Sequence, residues 1–231
     1  MMKNSKRYNS NFSKIDRNKM YSIDEAVKLI KSMDSAKFDE TVDISFNLGV
    51  DPKHSDQLVR GTVSLPNGTG KDVKVLVVSK GEKLKEAENA GADFFGSDEI
   101  LEKIKSGWLD FDVLVATPDM MADLGKLGRF LGPRGLMPNP KSGTVTNDIE
   151  KAVKELKAGK IQFRTEKTGI IHAGVGKVNF KEVALIENIK ALTKELNRLK
   201  PSSTKGIYMK KINISSSMGP GIKVDLGSIV N

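Results

Sequence analysis

Apolar and polar positions follow two different rhythms along this chain, and the rhythm changes twice. Ala26, Leu29, Ile30 and Met33 recur at helical spacing behind Ser22-Ile23-Asp24-Glu25, where serine can bond forward and glutamate reach back. The spacing predicts a helix ending near Asp34. Residues 43–50 and 61–65 read as strands around the polar loop 51–56. From Val73 the pattern becomes strand, helix, strand, helix: strands over 73–78, 92–95, 113–116 and 144–146, with helices through Leu84 and Ala87, over 98–105, after Thr117 and over 148–158. Beyond Lys160 the first style returns. Ile161, Phe163 and Thr165 alternate with Gln162, Arg164 and Glu166, as on a half-buried antiparallel strand, and Lys167-Thr168-Gly169 turns the chain back into 170–175. A helix over 180–199 and strands over 206–214 and 222–226 follow.

The two ends thus share an α+β style, and the middle is α/β. One assumption accounts for both: an outer domain of residues 1–67 plus 160–231, with an α/β domain of 68–159, a parallel sheet flanked by helices, inserted into it. The outer domain is then a split βαβ with an antiparallel sheet. The crossings, Pro66 to Gly70 and Ala158 to Lys160, carry Gly68, Gly70 and Gly159, residues suited to a hinge. Residues 1 to about 20 hold six Lys/Arg, one acid and no apolar period, and are expected to form a loose basic arm.

The middle of the chain also holds its most unusual stretch, DVLVATPDMMADLGKLGRFLGPRGLMPNPKSGTVTN, from Asp112 to Asn147. Thr117-Pro118-Asp119 offers a capping hydroxyl, a proline for the first helical position and a carboxylate at the positive dipole end. Gly125 and Gly128 interrupt the helix that follows, at roughly 1 kcal/mol each relative to alanine. Something is therefore expected to approach that face closely. Pro133, Pro138 and Pro140 stiffen the loop beyond it. Lys126, Arg129, Arg134 and Lys141 are its cations, with no acid from Leu124 to Asn147.

Charge narrows the function. The net charge is +9, spread as +2 over residues 1–67, −1 over 68–159 and +8 over 160–231. A basic excess confined to one part of the chain points to a polyanionic partner. The chain has no cysteine, which removes a disulfide scaffold and thiolate chemistry. It shows neither a membrane-length apolar run nor a secretory h-region, so a cytoplasmic protein is expected.

Three outer segments are expected to converge as a surface. Lys37-Phe38-Asp39-Glu40-Thr41 pairs an ammonium with an aromatic ring that suits either a core lid or a base-stacking face. Arg164 to Gly169 sets donors and hydroxyls around a turn. Ser217-Met218-Gly219-Pro220 carries a methionine with no apolar period to explain it, beside a glycine that would let a backbone come close.

Gly132 through Pro140, with Thr117-Pro118-Asp119 before it, resembles the signature of the bacterial ribosomal protein L-one family. The resemblance runs from about Lys6 to about Asp225. It implies a two-domain RNA-binding protein of the large-subunit stalk, with a Rossmann-like three-layer α/β domain inserted into the outer one, that needs no cofactor and is monomeric apart from the ribosome. Its implied partners are large-subunit rRNA, exit-site tRNA and its own operon mRNA. The family's RNA-binding segments match here at Lys37, Phe38, Glu40 and Thr41, and at Arg164, Lys167, Thr168 and Gly169. They also match at Met218, Gly219 and Pro220. Ser217 stands where threonine is usual and Glu166 where aspartate is common. The implied second contact is the basic loop of Lys126, Arg129, Arg134 and Lys141.

The alternative class is a nucleotide-binding enzyme using the α/β domain. Gly68-Thr69-Gly70-Lys71-Asp72 departs from a phosphate loop at Leu65 and at Asp72, where a hydroxyl would hold magnesium. No GxGxxG follows the first strand. His54 and His172 are the only histidines, and neither has triad or metal spacing; Asp51, His54 and Asp56 read as a solvated loop. No catalytic or metal-binding residue is therefore assigned. A protein-binding adaptor would explain the sheet but not the +8 segment.

Overall fold

Polar and apolar residues alternate strictly from Thr41 to Leu48, and a segment with that period can bury only one face. A computed structural model of the protein describes residues 5–81, 83–204 and 206–230, apart from the side chains of Lys141 and Val230. In it the segment is strand β1 (Thr41–Leu48), with Val42, Ile44, Phe46 and Leu48 buried and the intervening polar residues half-buried. β1 lies inside a four-stranded sheet, flanked by β7 (Ile170–Lys177) and β8 (Met209–Ser216), with β9 (Ile222–Val224) beyond β8; every pairing is antiparallel. Its register slips at both ends, between Val42 and Asp43 against β7 and between Asn47 and Leu48 against β8.

Helices α2 (Ile23–Lys31) and α8 (Glu182–Arg198) share a core with the apolar face of this sheet. α2 begins at the capping box: Glu25 N–H donates to Ser22 Oγ at 3.3 Å, and Ser22 N–H to Glu25 Oε2 at 3.4 Å. α8 contributes Leu185, Ile189, Leu192 and Leu196, a stripe at the 3.6-residue period. A second, two-stranded sheet of β2 (Arg60–Ser64) and β6 (Lys160–Arg164) adds Phe163 to the same core. Emptying such a site by Phe46→Ala costs about 3–5 kcal/mol.

The fold is mixed α/β, and its contacts divide into two compact units, Met1–Gly70 with Ile161–Asn231, and Lys71–Lys160. In the latter, β3 (Val75–Val78), β4 (Phe94–Gly96) and β5 (Val113–Ala116) form a parallel sheet in the order β4-β3-β5. Every residue of β3 is buried, because both faces are covered. Val75, Val77 and Val115 pack against α3 (Lys83–Asn89) and α7 (Ile149–Lys157). Leu76, Val78 and Leu114 pack against α4 (Asp98–Lys105), α5 (Met121–Lys126) and α6 (Gly128–Leu131).

Several expectations change. The basic arm is not loose where it is described: Lys6–Ser13 is helix α1, capped by Ser5. A buried asparagine ties it down, with Asn11 Nδ2 donating to Asp34 O and Asp34 N–H donating to Asn11 Oδ1, both at 2.9 Å. Lys3 and Asn4 lie outside the described residues. The strand over 144–146 reduces to one bridge, Val145 to Ala116. Thr117 does not cap with its side chain; it is buried, and its N–H continues the sheet to Val78 O at 3.2 Å. The turn at 167–169 joins strands of different sheets, since β6 pairs with β2 and β7 with β1.

Candidate nucleic-acid interface

Two of the three outer segments are bound to each other directly. Ser217 N–H donates to Thr41 O at 3.0 Å, and Thr41 N–H donates to Ser217 Oγ at 3.1 Å. Beneath them lies Glu40, only 2% exposed. Its carboxylate accepts Ala36 N–H at 2.5 Å on one oxygen and Met218 N–H at 3.0 Å on the other. Burial pushes this carboxyl up, but the Ser216 hydroxyl, the Met218 and Ala36 amides and the Arg7 charge outweigh it. The net pKa falls below the ordinary value. Glu40 is thus a clasp between two loops, its carboxylate buried and committed to internal donors.

What the clasp presents is exposed. Phe38 is 56% and Met218 54% exposed, which removes the core-lid reading of the first and any packing reading of the second. Lys37 is also exposed, while Lys177 donates to Thr41 Oγ1 at 3.1 Å and Asp39 O at 3.3 Å. Pro220 is buried. Gly219 is required for an internal reason: a Cβ there would collide with the Ser216 hydroxyl, which bonds Glu40. The close approach expected at this glycine comes from the protein itself.

The third segment does not join the other two. Asn47 of β1 pairs with Ile170 and Thr41 with Lys177, so residues 164–169 lie at the opposite end of β1. Seven residues of strand separate the ends by about 23 Å at ~3.3 Å per residue. Arg164, Glu166, Lys167 and Thr168 are exposed, and the Thr168 hydroxyl bonds the Glu166 carboxylate. Gly169 is buried at φ +81, its N–H bonded to Glu166 O at 3.0 Å, and a Cβ would press on Val50 O at 3.0 Å. Its positive φ and its burial make it a turn residue that only glycine fills without strain.

Between the two ends runs a polar sheet face that sequence reasoning missed. The registers set Asp43 beside Gly174 and Ser215, Ser45 beside His172 and Asn213, and Asn47 beside Lys211, with Lys223 next to Asn213. The signal was present in the alternation of 41–48 and of 212–216, whose polar members must share the face away from the core. Asp43 is pushed above its ordinary pKa by burial, against the opposing charges of His172 and Lys177.

The basic stretch of the Lys71–Lys160 unit also differs from expectation. Lys126 is paired at 2.9 Å with Asp123, an acid just upstream of the acid-free run. Arg129 and Arg134 are exposed, and the Lys141 side chain lies outside the described residues. The loop is held rigid by a buried hydroxyl pair: Asn139 N–H donates to Thr144 Oγ1 at 2.8 Å, and the Ser142 and Thr144 hydroxyls are 3.1 Å apart. Nothing lies within 4 Å of a Cβ at Gly125 or Gly128, so no internal neighbour explains either glycine. Gly68 and Gly70 belong to the Met1–Gly70 part. Asn188, fully buried, donates to Gly68 O at 2.9 Å and Val175 O at 2.7 Å, and Asn67 N–H donates to its Oδ1 at 3.1 Å. Gly159, at φ +100, terminates α7.

Comparison with known proteins identifies the family. A model of the Ribosomal protein L1p/L10e family matches residues 29–220. The chain is 54% identical over 231 residues, all of both chains, to "Large ribosomal subunit protein uL1" of Macrococcus caseolyticus (strain JCSC5402). The chain belongs to the Ribosomal protein L1p/L10e family. Its members are structural components of the ribosome, so the nucleotide-binding enzyme drops out. Among the described residues, no group of three His, Cys, Asp or Glu is placed to hold a metal ion, and no helix is long and apolar enough to cross a membrane.

Proposed function

We propose that this chain, a component of the cytoplasmic large ribosomal subunit, binds rRNA across the polar face of the four-stranded sheet. The loops at 37–41 and 217–220 grip one end, and the turn at 164–168 steers the other. The observation that carries the reading is the clasp. A buried carboxylate with three hydrogen-bond donors holds Phe38 and Met218 out in solvent, where burial alone would draw both inward. An exposed ring and thioether beside lysines suit unstacked bases and the backbone that joins them. The polar row between the ends adds hydroxyl, amide and imidazole groups that can pair with base edges and 2′-OH groups.

The outer RNA-binding domain and the inserted α/β domain act as two grips. The second uses Arg129, Arg134 and Lys126 beside the bare surface at Gly125 and Gly128, where a backbone can come close, with Lys141 as a further cation in the same stretch of sequence. Its partner is exit-site tRNA or further rRNA. Binding of a similar RNA fold in its own operon mRNA makes the protein a repressor of its own synthesis. The chain crossings at Gly68, Gly70 and Gly159 let the grips move. Crosslinking to total cellular RNA, followed by sequencing of bound fragments, tests this. Recovery of one region of large-subunit rRNA and of the operon mRNA is expected, and uniform recovery of all RNA would defeat the reading.

A further inference from the structure

The open sheet face does not stop at β9. Tyr21 bridges to Val224, its N–H donating to Lys223 O at 3.0 Å while Asp225 N–H donates to Tyr21 O at 2.8 Å. The chain at 20–21 therefore runs beside β9 as one more short strand. Tyr21 is buried, so alternation sends Met20 to the open side, and it is 68% exposed. Next to it is a cavity of roughly 230 Å³ lined by Met20, Lys211, Asn213, Lys223, Asp225 and Leu226 among others. Its wall is mainly apolar, and Lys210 joins the two other lysines there against a single acid.

We infer that this cavity is a second nucleotide subsite, which takes one unstacked nucleotide of the RNA bound on the sheet face. The inference rests on the function proposed above and adds a place to it. The cavity continues the row His172, Ser45, Asn213 and Lys223, so RNA lying along that row reaches it without leaving the protein. The thioether of Met20 and the side chain of Leu226 offer an apolar, polarisable surface for a base. The Asn213 amide and the Asp225 carboxylate can meet its donor and acceptor edge. Lys211 answers the flanking phosphate. Lys223 is partly committed, since its ammonium donates to Arg17 O at 2.9 Å and so fixes the rim. A protein partner would need an acidic tip to meet three lysines; RNA brings its phosphates along the whole face.

The test uses the full chain and a large-subunit rRNA transcript. Met20→Ala and Asn213→Ala should each weaken binding by about tenfold, within the range for loss of one base-stacking or edge contact. Neither should move the melting temperature, because both side chains stand outside the core. Because the chain has no cysteine, Met20→Cys can carry a single benzophenone probe. After irradiation, reverse-transcription stops should fall on one unpaired nucleotide. If Met218→Ala weakens binding while Met20→Ala does not, the sheet interface stands and the second subsite is wrong, whatever Asn213→Ala does, since Asn213 also belongs to the polar row. A binding loss confined to Lys211→Gln would show only a charged rim and would also overturn the subsite. If Met20→Ala loses affinity while Met218→Ala does not, the subsite stands and the Met218 grip falls. No crosslink, or crosslinks spread along a duplex, would overturn the nucleotide, as would a probe that reacts only with a protein.

Discussion

Met218 and Glu40 are neighbours with opposite roles, and their variants should separate those roles. Met218 is half in solvent, so Met218→Ala should weaken rRNA binding by about 1–3 kcal/mol and leave the melting temperature unchanged. Parallel loss of stability and affinity on one preparation would return it to the core. Glu40→Gln removes one acceptor from a buried site with three donors, and should cost roughly 1–3 kcal/mol of stability, with weaker binding as a consequence. Its pH signature follows from the sign of the shift. The folded-state pKa lies below the ordinary 4.5, so the stabilisation is present above that value and is lost as pH falls below it, through the folded value. Acid melting curves should therefore be shallower for Glu40→Gln. Gly219→Val should lower stability as well as binding, because the added side chain strikes the Ser216 hydroxyl. Tyr208 supplies an alkaline counterpart. Its buried hydroxyl, bonded to Leu196 O at 3.1 Å, is pushed up to about 12. It stabilises fully below 10, and that contribution fades as pH rises from 10 towards 12.

α8 does more than fill the core, because one of its polar residues is fully buried among the leucines. Asn188 satisfies Val175 O on β7 and both Gly68 O and Asn67 N–H in the chain leaving β2. Asn188→Ala would leave those groups without protein partners and should cost roughly 1–3 kcal/mol. The loosened backbone should show as faster amide exchange at Asn67 and along β7. Exchange rates equal to the parent's would mean that water replaces the amide. The same logic explains α1: polar helices of eight residues are marginal in water, and Asn11 supplies the tertiary bonds that composition does not announce.

The basic excess of residues 160–231 should set how the proposed rRNA complex responds to salt. Neutralising about four to eight phosphates should give a log–log salt slope of roughly −3 to −6 in rRNA binding. A complex indifferent to salt would remove the electrostatic part of the account. Joining residues 1–70 to 161–231 through a short glycine linker should leave a folded, rRNA-binding protein, because that unit holds its own core. Circular dichroism and binding on the same preparation check it; an unfolded product would show that the two units depend on each other.

Much of this was legible in the chain itself. The capping box at Ser22, the leucine stripe of α8 and the strand–helix alternation after Val73 are local patterns. Periodicity alone determines which face each element must hide. The family was legible too, in the run from Gly132 to Pro140. Pairing was not. Whether β6 turns back on β7 or joins β2 depends on partners a hundred residues away, as Thr165 N–H to Val59 O shows. The roles within the candidate site were equally hidden. Phe38, Glu40, Met218 and Gly219 look alike as a motif, yet tertiary contacts make Glu40 the clasp and Gly219 the clearance. The same contacts leave Phe38 and Met218 as the exposed pair. The physical reason is that burial and hydrogen-bond satisfaction are properties of what packs around a residue, and no local spacing encodes them.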